Sequence, residues 1–126
     1  MYALFLVLIC TFAASAEPQY RIAFTSFAPA NMDIFLAGPD GADAKALAPH
    51  PGSDVNASFS PDGRWVLFTS TREGSADLFR VRTDGSGLER LTDSPAFDDQ
   101  AKFSPDGNSI VFVSTHTGQA DSGLWI

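Results

Sequence analysis

The sequence predicts an all-β fold built from repeated four-stranded antiparallel units, and three observations carry that expectation. The pentapeptide Phe-Ser-Pro-Asp-Gly stands at 59–63 and again at 103–107, an interval of 44 residues. Other positions keep the same interval without a gap: Phe24, Phe68 and Phe112; Ser26, Ser70 and Ser114; Asp33, Asp77 and Asp121; Asp54 and Asp98. Between these marks lie short apolar runs divided by turn residues, with no helical pattern of useful length after residue 16. Periods of about 40 to 50 residues belong to solenoids and propellers, in which each unit is buried by its neighbours. Four short strands per period make one propeller blade. The expected architecture is a partial β-propeller with a 44-residue repeat, following an N-terminal signal peptide.

Residues 1–16 read MYALFLVLICTFAASA, an apolar run from Leu4 to Phe12 followed by Ala13-Ala14-Ser15-Ala16. This is a signal-peptide core with a small-residue cleavage site, and cleavage is expected before Glu17, although no Lys or Arg precedes the core. A permanent span needs about 20 apolar residues, more than this run holds. Cys10, the single cysteine, falls inside the leader behind Ile9, which does not suit lipid attachment. The mature chain therefore has no disulfide and no thiolate metal site.

The clearest unit spans about residues 54–93. Its first strand, Val55 to Phe59, ends at Ser60-Pro61-Asp62-Gly63, where Pro presets φ, Asp bonds nearby amides and Gly accepts positive φ. Ser104-Pro105-Asp106-Gly107 repeats this turn, and all eight residues are assigned a structural role. The second strand, Trp65 to Ser70, opens with a continuous apolar run and is expected to be buried on both faces. The third, Asp77 to Arg82, alternates apolar and basic residues over its last four positions, as a half-exposed strand does. Thr83-Asp84-Gly85-Ser86-Gly87 turns into a short outer strand, Leu88 to Thr92, with edge-type charges. Partial blades at about 20–48 and about 98–126 flank this unit, and in the last the phase slips by two residues, since Leu124-Trp125 matches Leu78-Phe79 with Ser122-Gly123 before it. A closed ring of six or seven blades takes roughly 260 to 310 residues, so the chain is expected to be part of one.

Net charge −7 and a pI near 4.4, with no run of basic residues, argue against a nucleic-acid partner. Asp33, Asp77 and Asp121 precede third strands and are expected to hydrogen-bond loop amides near Ser26, Ser70 and Ser114. Asp93, Asp98 and Asp99 offer oxygen ligands but lack the interleaved spacing of a calcium loop, so they read as solvated acidic surface and no metal is expected. Asp54 and Asp98 enter the innermost strands and are expected at a solvated channel rim, where propellers bind ligands or partners. His50 and His116 stand alone and read as exposed loop residues. The absence of a Gly-x-Ser-x-Gly elbow, a phosphate-cradling loop and a dinucleotide fingerprint leaves no catalytic residue and no cofactor to assign.

Taken together, Phe-Ser-Pro-Asp-Gly, the apolar strand ending Phe-Thr-Ser, Asp-Leu-Phe and the closing Asp-Gly…Leu-Thr resemble the TolB-type, WD-like propeller repeat over about residues 20–126. That family's namesake carries an α/β domain ahead of its propeller, whereas strand pattern here begins at Tyr20. The resemblance implies an exported, periplasmic or secreted protein that acts without catalysis as a protein-interaction scaffold in the cell envelope. The same repeat forms the propeller of prolyl-oligopeptidase-like serine peptidases, which makes the propeller portion of such a peptidase, with its catalytic domain absent from this chain, the alternative. Protein partners are implied, with no membrane span after cleavage. The open blades also make self-association of the isolated chain the expected behaviour.

Overall fold

The computed structural model describes residues 21–27, 31–115 and 123–126. The signal peptide expected at 1–16, Tyr20, His116, Asp121 and Ser122 lie outside the described residues. Three antiparallel sheets follow one another along the chain. The first holds β1 (Ile22–Phe27), β2 (Met32–Ala37) and β3 (Lys45–Ala46); the second holds β4 (Asp54–Phe59), β5 (Trp65–Ser70), β6 (Asp77–Arg82) and β7 (Glu89–Arg90). The third holds β8 (Asp98–Phe103), β9 (Ile110–Ser114) and β10 (Gly123–Trp125). Every strand pairs with its neighbour in sequence, so each sheet is a simple meander, the form of a propeller blade. The outer strand of the second blade is shorter than the expected Leu88 to Thr92, because only Phe79 with Arg90 and Arg80 with Glu89 pair across it.

The repeated turn works as its residues predict. Gly63 N–H donates to Ser60 O at 2.9 Å, Arg64 N–H to Asp62 Oδ1 at 3.0 Å and Trp65 N–H to Ser60 Oγ at 3.0 Å. Gly107, Asn108 and Ser109 make the same three bonds to Ser104 O, Asp106 Oδ1 and Ser104 Oγ. Gly63 and Gly107 have φ of +68° and +74°, a region open to glycine at little cost. Each hairpin thus closes on its own side chains.

Alternation along the central strands divides the core in two. Val66, Phe68, Phe79 and Val81 join Ile34, Leu36 and Leu47 between the first and second blades, with Phe59 packed against them. Leu67 and Leu78 point the other way, to Ala101, with Phe103, Ile110 and Phe112 around them. Successive side chains in a strand face opposite sides, so β5 serves two cores at once and reads as an unbroken apolar run. Phe59 and Phe103 do fill inter-blade space. On β6, Arg80 ion-pairs with Glu89 at 2.7 Å, but only Arg82 is exposed and Leu78 and Phe79 serve opposite cores, so the strand is more buried than the half-exposed one expected.

One feature lies beyond the sequence reading. Register shifts occur between Val55 and Ser58 and between Asp99 and Lys102, with Asn56 at φ +59° and Gln100 at φ +56°. These residues are 44 apart, so a bulge is part of the repeat. The third blade also carries the two-residue slip in its pairing: Ser70 faces Asp77, but Ser114 faces Gly123. The 44-residue interval that links Asp77 with Asp121 therefore does not hold in the sheet, where Gly123 takes the Asp77 position.

Candidate functional site

The polar chemistry of this chain gathers where loops cross from one blade to the next. Asp54 opens β4 opposite Ser70, the last residue of β5. Two residues on, Arg72 folds back over both: Nη2 donates to Asp54 Oδ2 at 2.8 Å and to Ala48 O at 3.0 Å, and Nε donates to Ser70 Oγ at 2.9 Å. Its guanidinium carbon lies 5.4 Å from the Phe68 ring centroid and 5.1 Å from that of Phe79. A planar cation with a fork of donors suits a carboxylate beside aromatic rings. Gly52 permits the fold-back, since a Cβ there would stand 2.9 Å from Arg72 N.

Asp54 is sealed from solvent, which corrects the expectation of a solvated rim carboxylate. The loop carrying Arg72 closes over the strand end, and an ion pair replaces water. Burial raises its carboxyl above the ordinary value, opposed by the Ser70 hydroxyl and by Arg72. Its second oxygen, Oδ1, has no hydrogen-bond partner.

Asp77 is likewise buried, and its partners are the Ser75 hydroxyl at 2.9 Å and Arg90 Nη2 at 2.8 Å, not the loop amides expected near Ser70. The cause is the outer strand, which carries Arg90 across β6. Asp33 comes nearer that expectation, accepting from His50 N–H at 3.4 Å, although this amide belongs to the loop after β3 and not to Ser26. His50 is half-buried rather than exposed, and its Nδ1 accepts the Gly52 N–H at 2.9 Å.

The three carboxylates read as an acidic surface part company. Asp93 is the solvated one, paired with Arg90 at 3.0 Å. Asp99 accepts from Asn56 Nδ2 at 2.6 Å and Thr69 Oγ1 at 2.8 Å, tying the third blade to the second. Asp98 is 3% exposed, with Oδ1 lacking a partner. It lines a pocket of about 270 Å³ between the second and third blades, with Thr92, Asp93, Ser94, Phe112, Ser114 and Trp125. The structure thus separates the two residues expected at a rim, Asp54 inside an ion pair and Asp98 on a pocket wall. Among the described residues, no group of three His, Cys, Asp or Glu side chains could hold a metal ion. Arg72, Arg90 and Asn56 were not singled out in the sequence, because each acts on a residue 13 to 43 positions away. The one hint was that Arg72 and His116, 44 residues apart, differ.

Blades with this meander, bulge and Ser-Pro-Asp-Gly turn define a β-propeller protein. The TolB beta propeller domain model matches residues 8–122, a span that overlaps the stretch expected to be a signal peptide, and the chain belongs to that family. Among solved structures, a TolB-assigned protein of Agrobacterium tumefaciens is 32% identical with a TM-score of 0.74, over 82% of this chain and 40% of that one. TolB of Acinetobacter baumannii is 27% identical with a TM-score of 0.73, over 82% of this chain and 26% of that one. The chain therefore spans less than half the length of either. A puromycin hydrolase mutant shares the fold at 22% identity and a TM-score of 0.54, over 75% of this chain and 17% of that one. No curated protein is a significant match.

Proposed function

We propose that this chain belongs to an exported TolB-like β-propeller that acts as a non-enzymatic protein-interaction scaffold in the cell envelope, in the periplasm or outside the cell. The observation that carries this reading is the use made of the repeat's polar groups. Arg72 with the Ala48 carbonyl, and Asn56 and Thr69 with Asp99, join each blade to the one before it. Such ties make the blade ends a rigid platform, and a rigid scaffold presenting loops is a common basis for partner recognition. Phe97, more than half exposed at the entry to β8, and the pocket beside Asp98 are the features a partner would meet. Likeness to two TolB proteins supports the same reading.

The test has two parts. Intact mass of the exported product should begin at Glu17, and retention of Met1 would remove the leader from the account. A photo-crosslinking residue at position 97, placed in the protein in its own cells, should capture a small set of envelope proteins. Capture of none would remove the scaffold role. The peptidase alternative rests on a shared fold alone; labelling of the full-length gene product by a serine-directed fluorophosphonate would put it in place of the scaffold.

A further inference from the structure

We propose that Asn56 is an N-glycosylation site, the acceptor of an oligosaccharide delivered from a lipid pyrophosphate carrier as the chain is exported. Of the three asparagines in the sequence, Asn31, Asn56 and Asn108, only Asn56 opens an Asn-x-Ser tripeptide, Asn56-Ala57-Ser58. That tripeptide is the acceptor pattern of exported proteins, and it calls for a surface position. The structure supplies one in the middle of a strand. β4 is an edge strand of its sheet, and within it Asn56 and Ala57 together stand against Phe68 alone, because pairing passes from Val55 with Thr69 to Ser58 with Leu67. The bulge holds Asn56 at φ +59°, a conformation that asparagine tolerates better than most residues, and leaves it exposed.

The folded chain accepts the product without losing its tie between blades. Asn56 Nδ2 donates to Asp99 Oδ1 at 2.6 Å, one of the bonds that join the third blade to the second. A primary amide carries two N–H donors, and the transfer consumes one. Nδ2 forms a bond to C1 of the first sugar and the C1–O bond to the carrier breaks. The leaving pyrophosphate takes the electron pair, and a base of the transferase takes one Nδ2 proton. The N–H that remains is free to donate to Asp99. The third blade provides an internal control. Gln100 follows Asn56 by 44 residues, lies in a bulge between Asp99 and Lys102 at φ +56°, and is exposed in the same way. Gln100-Ala101-Lys102, however, has neither the asparagine nor the hydroxyl two places on. The two blades share the backbone geometry, and the acceptor chemistry belongs to position 56 alone.

The proposal rests on the export put forward above and on no other part of that reading. The full-length protein is purified from its own cells, its intact mass is measured, and the peptide holding Asn56 is fragmented to look for sugar ions. The expected product is heavier than the sequence beginning at Glu17 by one oligosaccharide, carried on Asn56. Asn56→Gln installs the residue that the third blade already holds at this place, and Ser58→Ala leaves Asn56 and its bond to Asp99 intact; each should abolish the increment. Gln100→Asn combined with Lys102→Ser should add a second increment in the third blade. Exported protein at the bare sequence mass overturns the proposal and spares the scaffold. Unmodified protein that retains Met1 overturns both the export and the site. An increment that persists in Asn56→Gln places the sugar elsewhere and overturns the site as well. The glycan present with no crosslinks at position 97 would remove the scaffold and keep the site.

Discussion

Arg72 and Asp54 form an ion pair at 2.8 Å in which the two side chains are 6% and 1% exposed, and this pair links the loop after β5 to the start of β4. Removing one partner of a buried pair strands the other charge, which costs about 3 to 5 kcal/mol. Arg72→Ala should destabilise the chain by that order. Arg72→Met combined with Asp54→Asn should cost less than Arg72→Ala alone, because no charge is left unpaired. Denaturant titration of the three proteins checks the order, and a double variant as weak as the single would mean that the ion pair is not what holds the loop.

The two inter-blade cores predict a ranking among phenylalanines. Phe68 is 1% exposed at the centre of the first core, whereas Phe59 only packs against its margin. Phe68→Ala should cost about 3 to 5 kcal/mol, the range for a fully buried ring, and Phe59→Ala and Phe103→Ala should fall below it. Urea midpoints for the three variants provide the comparison. A larger loss at Phe59 than at Phe68 would contradict this packing.

Acid should loosen the repeated turns. The Ser60 hydroxyl and Arg64 amide hold the Asp62 carboxyl below its ordinary value of 3.8, and the Ser104 hydroxyl and Asn108 do the same for Asp106. A depressed carboxyl contributes stability that is complete above the unfolded value and is lost as pH falls through the folded one. Asp54 has the opposite sign, since burial raises its carboxyl and its ionisation therefore works against folding as pH rises through that value. Melting temperature against pH should fall on the acid side, and the Asp62→Asn, Asp106→Asn double variant should show a shallower fall below pH 3.8. An unchanged slope would show that these turns do not feel their carboxylates.

Residues 17–126 alone should associate. Phe27 and Leu124 are each 73% exposed and Ile126 is 91% exposed, on sheets whose outer faces have no described neighbour. Exposed apolar faces and open strand edges favour pairing between copies. Sedimentation velocity should give species larger than a monomer, shifting with concentration. A single monomeric boundary with a cooperative melt would point to a self-contained fold.

The blade count, the strand order and the Ser-Pro-Asp-Gly turns were legible in the sequence because their causes are local. A turn is decided within about five residues, and a strand buried on both faces announces itself as an unbroken apolar run. The two-residue slip was legible too, through Leu124-Trp125, but its consequence was not: only pairing showed that Gly123, and not Asp121, stands opposite Ser114.

What the sequence alone determined, then, is the repeat and its all-β character; the fate of its carboxylates was decided by tertiary structure. Asp54, Asp98 and Asp99 look alike as strand-initial acids, yet one is paired with Arg72, one walls a pocket and one receives Asn56 and Thr69. The reason is physical. Whether a carboxylate meets water, a cation or an amide depends on which loop of the neighbouring blade closes over it, and such contacts join residues far apart in sequence, where no local pattern records them.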